Sequence, residues 1–189
     1  MLYSSKETQS EVPGSSASWR LVFAFPSSLD FATISELHAL SQRSIDFELE
    51  NTQIIAIEAP RTARQGTDHE VDDQKQIALS SDMSVQLDSL ELPFEIRHGD
   101  MAALRALGLS AQEWRDIGSG RTTWLIDPDG NVRASLRYPF ESARSITELL
   151  RLTMAVRSAE ARDMPTPEGW KPGDDDEILP PFVLKISAA

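Results

Sequence analysis

The stretch that decides the fold, residues 19–37, reads Trp-Arg-Leu-Val-Phe-Ala-Phe-Pro-Ser-Ser-Leu-Asp-Phe-Ala-Thr-Ile-Ser-Glu-Leu. Its first seven residues form an almost unbroken apolar run that Pro26 ends, which predicts a buried strand. Two serines and Asp30 then offer N-caps for a helix. A strand, a proline turn and a helix start place backbone N–H groups at the carboxyl edge of a sheet, where anion or reactive-group sites are common.

Further along the chain, a helix over 33–50, with Asn51 as its C-cap, connects the first strand to a second buried strand over 52–59. Two strands joined by one helix predict a right-handed βαβ unit. The following elements are a helix over 69–88, a strand over 92–96, a short helix from Asp100 to Gly108, a strand over 121–127, a Pro128-Asp129-Gly130 hairpin turn, a returning strand over 132–138, and a helix from Ser142 or Ser145 to about 160. This order predicts an α/β protein with a central mixed sheet and flanking helices.

Composition excludes several classes of function. The 189 residues contain no cysteine, which excludes disulfides, thiolate metal sites and thiol catalysis. The net charge of −12 argues against a nucleic-acid surface, which is usually basic. No apolar run is long enough to span a membrane, and no secretory signal precedes the first strand, so we expect a cytoplasmic protein. We divide the chain into a flexible arm (1–18), one domain (19–163) and a C-terminal extension (164–189).

The opening stretch resembles the active-site segment of the peroxiredoxin (AhpC/TSA) family, and most of all its one-cysteine branch. In that family the strand is followed by a proline, then by Thr-Pro-Val-Cys, then by Glu-Leu within the helix. Pro26 and the Glu36-Leu37 pair match this pattern. The family's threonine falls on Asp30, its second proline on Phe31 and its reactive cysteine on Thr33.

A second resemblance lies near the C-terminus, where 166–174 reads Thr-Pro-Glu-Gly-Trp-Lys-Pro-Gly-Asp. It resembles the start of the extension carried by the one-cysteine branch, Thr-Pro-x-x-Trp-Lys-x-Gly-Asp. The resemblance as a whole covers about residues 19–182. The resemblance implies a thioredoxin-like sandwich for the domain.

Thr33 changes the chemistry that this position can perform. A thiolate attacks the O–O bond of a peroxide because sulfur ionises at accessible pH and can become a sulfenic acid. A threonine hydroxyl ionises far too weakly and cannot be oxidised in that way, and it acts as a nucleophile only beside a strong base. Asp30, three residues away, is the one candidate base, but a helix N-cap is the simpler role for Asp30.

The resemblance also assigns charged residues to the surroundings of Thr33. An arginine at the position of Arg121 steadies the thiolate and the peroxide in the family, Arg144 matches a second arginine of the one-cysteine branch, and Glu36 matches a glutamate that holds the arginine. The candidate pocket is therefore Pro26, Asp30, Thr33, Glu36, Arg121 and Arg144. Two interpretations remain open: a pocket for a small anionic or polar ligand, or an ion-pair network kept because unpairing a buried charge is costly.

Metal and cofactor sites are not indicated. The histidines, at positions 38, 69 and 98, do not have the spacing of a metal site, and the acidic run 174–177 lacks the pattern of a calcium loop. We expect no metal and no cofactor.

These observations favour a cysteine-less, peroxiredoxin-like protein without thiol peroxidase activity, acting as a binding or regulatory scaffold. One alternative is an enzyme of another kind, using Asp30, Thr33, Arg121 and His38 on a small polar substrate. Another is an inactivated form of a true peroxidase. The resemblance, together with the alternating strand 132–137, implies a homodimer with the C-terminal extension, including Trp170, lying on the partner.

Overall fold

The computed structural model describes residues 18–26, 30–59, 92–99, 101–110 and 120–174. Five strands form one sheet: β1 (Trp19–Pro26), β2 (Thr52–Ala59), β3 (Glu95–His98), β4 (Arg121–Ile126) and β5 (Val132–Tyr138). Four helices are described: α1 (Phe31–Gln42), α2 (Ser44–Leu49), α3 (Met101–Ala106) and α4 (Ile146–Arg162). Among the described helices, none is both long and apolar enough to cross a membrane.

The sheet is mixed, in the order β3-β2-β1-β4-β5. Strands β1, β2 and β3 run parallel, whereas β4 and β5 are antiparallel to their neighbours. The predicted βαβ unit and the predicted hairpin are therefore both confirmed, and so is the α/β class with a mixed sheet. Gly130 has φ +91° in the hairpin turn, a conformation that glycine adopts without steric cost.

The predicted helix over 33–50 is wrong in one respect, because it is two helices that meet at Arg43. That residue has φ −104° and ψ 5°, outside the helical region. The Ser44 hydroxyl donates to the carbonyl of Ser41 (2.9 Å), which satisfies a carbonyl at the end of α1 and competes with helix continuation. The break redirects the chain so that Phe47 of α2 is completely buried. Asn51, the predicted C-cap, lies one residue beyond the observed cap, with φ +46°.

The third strand begins later than predicted, at Glu95 instead of Leu92. Pro93 has no N–H to donate to a ladder, and the parallel pairing with β2 starts where Glu95 lies beside Ile55. The helix that we expected to end at Gly108 ends at Ala106 and passes through a turn to that glycine. The predicted helix over 69–88 and the predicted cap Asp100 lie outside the described residues.

Apolar side chains pack on both faces of the sheet. One face buries Trp19, Leu21, Phe23, Phe25, Ile54, Ala56 and Leu125 against residues of α1, α2 and α4. The opposite face buries Val22, Ala24, Ile55, Ile57, Ala59, Trp124 and Ile126 against Leu104, Leu107 and Leu109. The alternation of β1 between these two faces is the physical reason for its unbroken apolar sequence.

After α4 the chain reverses at Asp163, which has φ +50°. Trp170 is then only 2% exposed, and its carbonyl accepts a hydrogen bond from Nη1 of Arg151 on α4 (3.0 Å). Our expectation that Trp170 docks on a partner is therefore wrong, because this side chain is buried on its own subunit. Residues 175–189 of the predicted extension lie outside the described residues.

Candidate functional site: a carboxylate–arginine cluster

The N-terminus of α1 supplies the first part of the site. Asp30 is the N-cap, and its Oδ1 accepts a hydrogen bond from the backbone N–H of Thr33 (2.7 Å). This cap fixes the first turn so that Thr33 is directed inward and completely buried. Pro26, the last residue of β1, is half-buried, and residues 27–29 between it and the cap lie outside the described residues.

Arg121, the first residue of β4, has a completely buried side chain. Each nitrogen of its guanidinium donates to a protein acceptor. The Nε group donates to the carbonyl of Phe140 (3.1 Å), and Nη1 donates to Oγ1 of Thr33 (2.8 Å) and Oε2 of Glu36 (3.3 Å). The Nη2 group donates to both oxygens of Asp30, at 2.8 and 2.7 Å. The arginine is thus saturated by the protein's own oxygens.

Glu36 is shared between the two arginines. Its Oε1 accepts from the backbone N–H of Arg144 (2.5 Å) and from Nε of the same residue (3.0 Å). Its Oε2 accepts from Nη2 of Arg144 (2.9 Å) in addition to the bond from Arg121. Both Glu36 and Arg144 have side chains with no exposed surface. This buried ion pair therefore connects α1 to the segment that immediately precedes α4.

Two residues of the site, Thr123 and Phe23, were missed by sequence reasoning. Nη1 of Arg144 donates to Oγ1 of Thr123 (2.9 Å) and to two backbone carbonyls, those of Ala24 and Thr122 (both 2.8 Å). The guanidinium carbon of Arg144 lies 3.5 Å from the centre of the Phe23 ring, a cation–π contact. The alternation of side chains along β4 could have identified Thr123, because this residue lies two positions after Arg121 and therefore on the same face of the strand.

We call Asp30, Thr33, Glu36, Arg121 and Arg144 the carboxylate–arginine cluster. Its two carboxylates and two guanidiniums balance in charge, and no buried side-chain nitrogen or oxygen of the described residues lacks a hydrogen-bond partner. Burial alone would raise the pKa of the Asp30 carboxyl, but hydrogen bonds from Arg121 and from the Thr33 backbone outweigh it and lower that pKa. Burial lowers the pKa of Arg144, and Glu36 opposes that shift.

The structure brings five of the predicted pocket residues, Asp30, Thr33, Glu36, Arg121 and Arg144, into direct hydrogen-bonded contact. His38 lies on the exposed side of α1 and pairs with Gln42 (3.0 Å). A groove of about 330 Å³ between α1 and the start of α4 is lined in part by Glu36 and Arg144 but not by Thr33. Within the described ranges, no group of three or more histidine, aspartate or glutamate side chains could hold a metal ion.

Comparison with known proteins gives a consistent result. No protein-family model matches the chain. A peroxiredoxin of Nanoarchaeum equitans is 34% identical over 104 residues, which cover 49% of this chain and 46% of that protein. Peroxiredoxin 2 of Picrophilus torridus is 26% identical over 170 residues, which cover 88% of this chain and 77% of that protein. The first of these matches therefore spans less than half of the relative's length.

Among solved structures, the yeast mitochondrial 1-Cys peroxiredoxin superposes with a TM-score of 0.59 at 20% identity, covering 84% of this chain and 73% of that one. The fold is thus a thioredoxin-like α/β fold of the kind seen in peroxiredoxin structures. Curated relatives that match 86–88% of this chain at 25–26% identity are peroxiredoxins, among them Peroxiredoxin-6 of Pongo abelii and a 1-Cys peroxiredoxin of Onchocerca volvulus, so this chain is similar to that family. The absence of cysteine fits a loss of peroxidase activity.

Proposed function

We propose that this chain is a non-catalytic binding or regulatory scaffold that acts as a homodimer, with the carboxylate–arginine cluster serving the fold instead of a reaction. The observation that carries the proposal is the pairing of Arg121 with Asp30. A peroxide or another small substrate would need donors from Arg121, and all of its nitrogens already donate to Asp30, Thr33, Glu36 and the Phe140 carbonyl. A cytoplasmic location stays a prediction from the sequence.

The alternative of a different enzyme receives less support. A general base works best when its pKa lies near the operating pH, and the pKa of Asp30 is lowered below that of an ordinary aspartate. The Oγ1 atom of Thr33 is buried and accepts a hydrogen bond from Nη1 of Arg121, and the carboxylate beside it, Asp30, is a weak base because its pKa is lowered. His38 faces away from the cluster. The other alternative, an inactivated form of a true peroxidase, is not separated from the scaffold by the site, because both would contain the same carboxylate–arginine cluster without a thiol.

Strand β5 is the surface that we propose for the dimer. Among the described strands it is hydrogen-bonded to β4 alone, so it forms one edge of the sheet. Its apolar residue Val132 is 37% exposed, and such an edge invites pairing with a second copy of the same strand.

The chemical test is turnover of hydrogen peroxide with dithiothreitol as reductant. We expect no consumption above a protein-free blank, and Thr33→Cys alone should recover little activity because Asp30 opposes thiolate formation. The matched variant Asp30→Thr, Phe31→Pro, Thr33→Cys removes that carboxylate and should be the more active of the two. Turnover by the unmodified chain would refute the proposal.

The assembly test is light scattering at micromolar concentration. A dimer should have twice the 21.0 kDa mass of the chain, and Val132→Lys should weaken its association at least about tenfold because a desolvated lysine opposes edge pairing. The control is Ile45→Lys, at an exposed apolar position on α2 (65% exposed) away from that edge. A monomer at these concentrations, or equal effects of the two lysines, would contradict the assignment.

A further inference from the structure

The start of β2 leaves a stretch of sheet edge without a neighbouring strand. β2 pairs with β1 along its whole length, but its pairing with β3 begins only where Ile55 lies beside Glu95. Within the part of the chain that the structure describes, residues 52–54 therefore have a strand on one side only. Continuing the register would place Gln53 beside Pro93, which has no N–H to donate to a ladder. The sheet is thus open at this corner.

The backbone of Thr52 is directed to the open side. In a parallel sheet, successive residues of a central strand hydrogen-bond alternately to the strand on one side and to the strand on the other. The N–H of Trp19 on β1 donates to the carbonyl of Asn51 (3.0 Å), so Asn51 is directed to β1. The N–H of Gly99 donates to the carbonyl of Glu58 (2.8 Å), so Glu58 is directed to the side of β3. Alternation from either residue places the N–H and C=O of Thr52 on the side of β3, before β3 has begun.

A groove of about 550 Å³ lies beside this open edge, between α2 and the start of β2. Its apolar lining includes Ile45 of α2, which is 65% exposed, together with Ile54 and Phe94. Two acidic residues, Glu48 and Glu95, also line it, and no basic residue is among its described lining. The groove therefore offers backbone groups, an apolar wall and negative charge to an extended segment.

We propose that the chain's own segment 182–186, Phe-Val-Leu-Lys-Ile, binds in this groove as an additional strand beside residues 52–54. Apolar residues recur at positions 182, 184 and 186, which is the pattern of a strand with one buried face. That face packs against Ile45, Ile54 and Phe94, which lie on the side of the sheet that α2 covers. The groove is thus a strand-accepting site that the protein fills with its own C-terminal segment.

The other face of the segment matches the charge of the groove. Lys185 alternates with the apolar residues, so its side chain is on the opposite face of the added strand. The side chain of Glu95 is on that face too, because Glu95 lies beside Ile55 in the ladder. An exposed ion pair contributes little to stability, so this contact selects the register of the segment. Backbone pairing and burial of the apolar face supply the binding.

The same subunit can supply the segment. The carbonyl of Trp170 accepts a hydrogen bond from Arg151 on α4. Arg157, about 9 Å further along that helix, pairs with Glu50, which immediately precedes a residue that lines the groove. The connecting residues 171–181 span up to about 36 Å when extended, which exceeds that helical distance and the two side-chain contacts together. A segment tethered in this way has an effective concentration of about millimolar.

The chain has no cysteine, so pairs of introduced cysteines report the contact directly. Oxidation by diamide is followed in the full chain for Ile45→Cys combined with Leu184→Cys. A disulfide needs Cα atoms within about 7 Å, so this pair should close within one chain at least about tenfold faster than two control pairs. Ile45→Cys with Val183→Cys places the second thiol on the other face of the strand. Ile34→Cys with Leu184→Cys places the first thiol at an exposed position of α1 that does not line the groove.

Hydrogen exchange of the Thr52 amide, measured by NMR in the full chain, tests the strand pairing. Leu184→Asp should raise this exchange rate at least about tenfold, because a carboxylate cannot be buried against the apolar wall of the groove. The amide of Phe23, in the centre of the sheet, should keep its rate and thereby show that the fold is intact. The control Ala188→Asp adds the same charge beyond the segment and should leave the rate of Thr52 unchanged.

Faster closure of the Ile45→Cys, Leu184→Cys pair, together with faster Thr52 exchange in Leu184→Asp alone, supports the proposal. Equal closure rates for the three pairs, or a disulfide that joins two chains on a non-reducing gel, would overturn it. So would a Thr52 exchange rate that Leu184→Asp does not change, whether residues 1–17, another protein or no segment occupies the groove. These measurements do not involve peroxide turnover, so the proposed scaffold function and this inference can fail separately.

Discussion

Replacing Glu36 with glutamine tests whether the carboxylate–arginine cluster holds the fold together. Glu36 is 1% exposed and accepts four hydrogen bonds, three from Arg144 and one from Arg121. The substitution keeps the shape of the side chain but removes its charge, and it turns an amide NH₂ group toward donors. Arg121 keeps the carboxylate of Asp30, so Arg144 bears most of the loss.

The size of the effect follows from the burial of the pair. Removing one partner of a buried ion pair costs about 3–5 kcal/mol, because the other charge stays buried without compensation. The Phe23 ring and three protein oxygens still solvate Arg144, so we expect the lower part of this range, a loss of about 3 kcal/mol. A single domain is typically stable by only about 5–15 kcal/mol, so the variant should remain folded with a clearly lower denaturation midpoint.

The assay is urea unfolding followed by far-ultraviolet circular dichroism and analysed by linear extrapolation. The control is Glu48→Gln at an exposed position of α2, which should change the free energy of unfolding by no more than about 0.5 kcal/mol. The double variant Glu36→Leu, Arg144→Met removes both charges and should be more stable than Glu36→Gln. A loss below about 1 kcal/mol for Glu36→Gln would refute the reasoning that the cluster is a structural element.

Three further predictions concern other parts of the structure. The pKa of Asp30 is lowered in the folded chain, so the contribution of its carboxylate to stability is complete above the ordinary aspartate value of about 3.9 and is lost as the pH falls through the lower folded-state value. In urea unfolding from pH 6 to pH 2, the free energies of unfolding of the native chain and of Asp30→Asn should therefore converge. A constant difference between them would contradict this. Gly120→Ala should lower the free energy of unfolding by about 1–3 kcal/mol in the same assay, because a Cβ there would lie 2.4 Å from the carbonyl oxygen of Tyr138. No change in this free energy would contradict the close approach of Tyr138, on β5, to Gly120. Trp170→Ala should cost about 3–5 kcal/mol, independently of protein concentration, since that side chain is buried on its own subunit; a cost that grows with concentration would favour docking across a dimer.

Local patterns determined much of the fold. The sequence predicted the bounds of β2 and β5 as observed and those of β1 and β4 to within one residue, because proline, turn residues or the polar hairpin end each apolar run. It was also right about the hairpin at 128–130, where proline and glycine suit one turn geometry. Such signals depend on residues that are neighbours in the chain, so they predict strand ends and turns without knowledge of the tertiary contacts.

The errors in secondary structure occurred where packing outweighs local preference. The period of apolar residues continued smoothly through Arg43, but burying Phe47 required the chain to change direction there. The third strand moved to Glu95 because its pairing with β2, about 40 residues earlier in the chain, sets where a parallel ladder can begin.

The sequence by itself determined that no thiol chemistry is available and, through resemblance, that Arg121, Arg144 and Glu36 belong near Thr33. The tertiary structure decided that Asp30 is the ligand of Arg121 and that Trp170 returns to its own α4. Asp30 and Arg121 are 91 residues apart, and their contact exists because β4 pairs with β1 in a register that carries the arginine to the first turn of α1. No local pattern encodes that distance, since it is set by how two distant segments pack into one sheet.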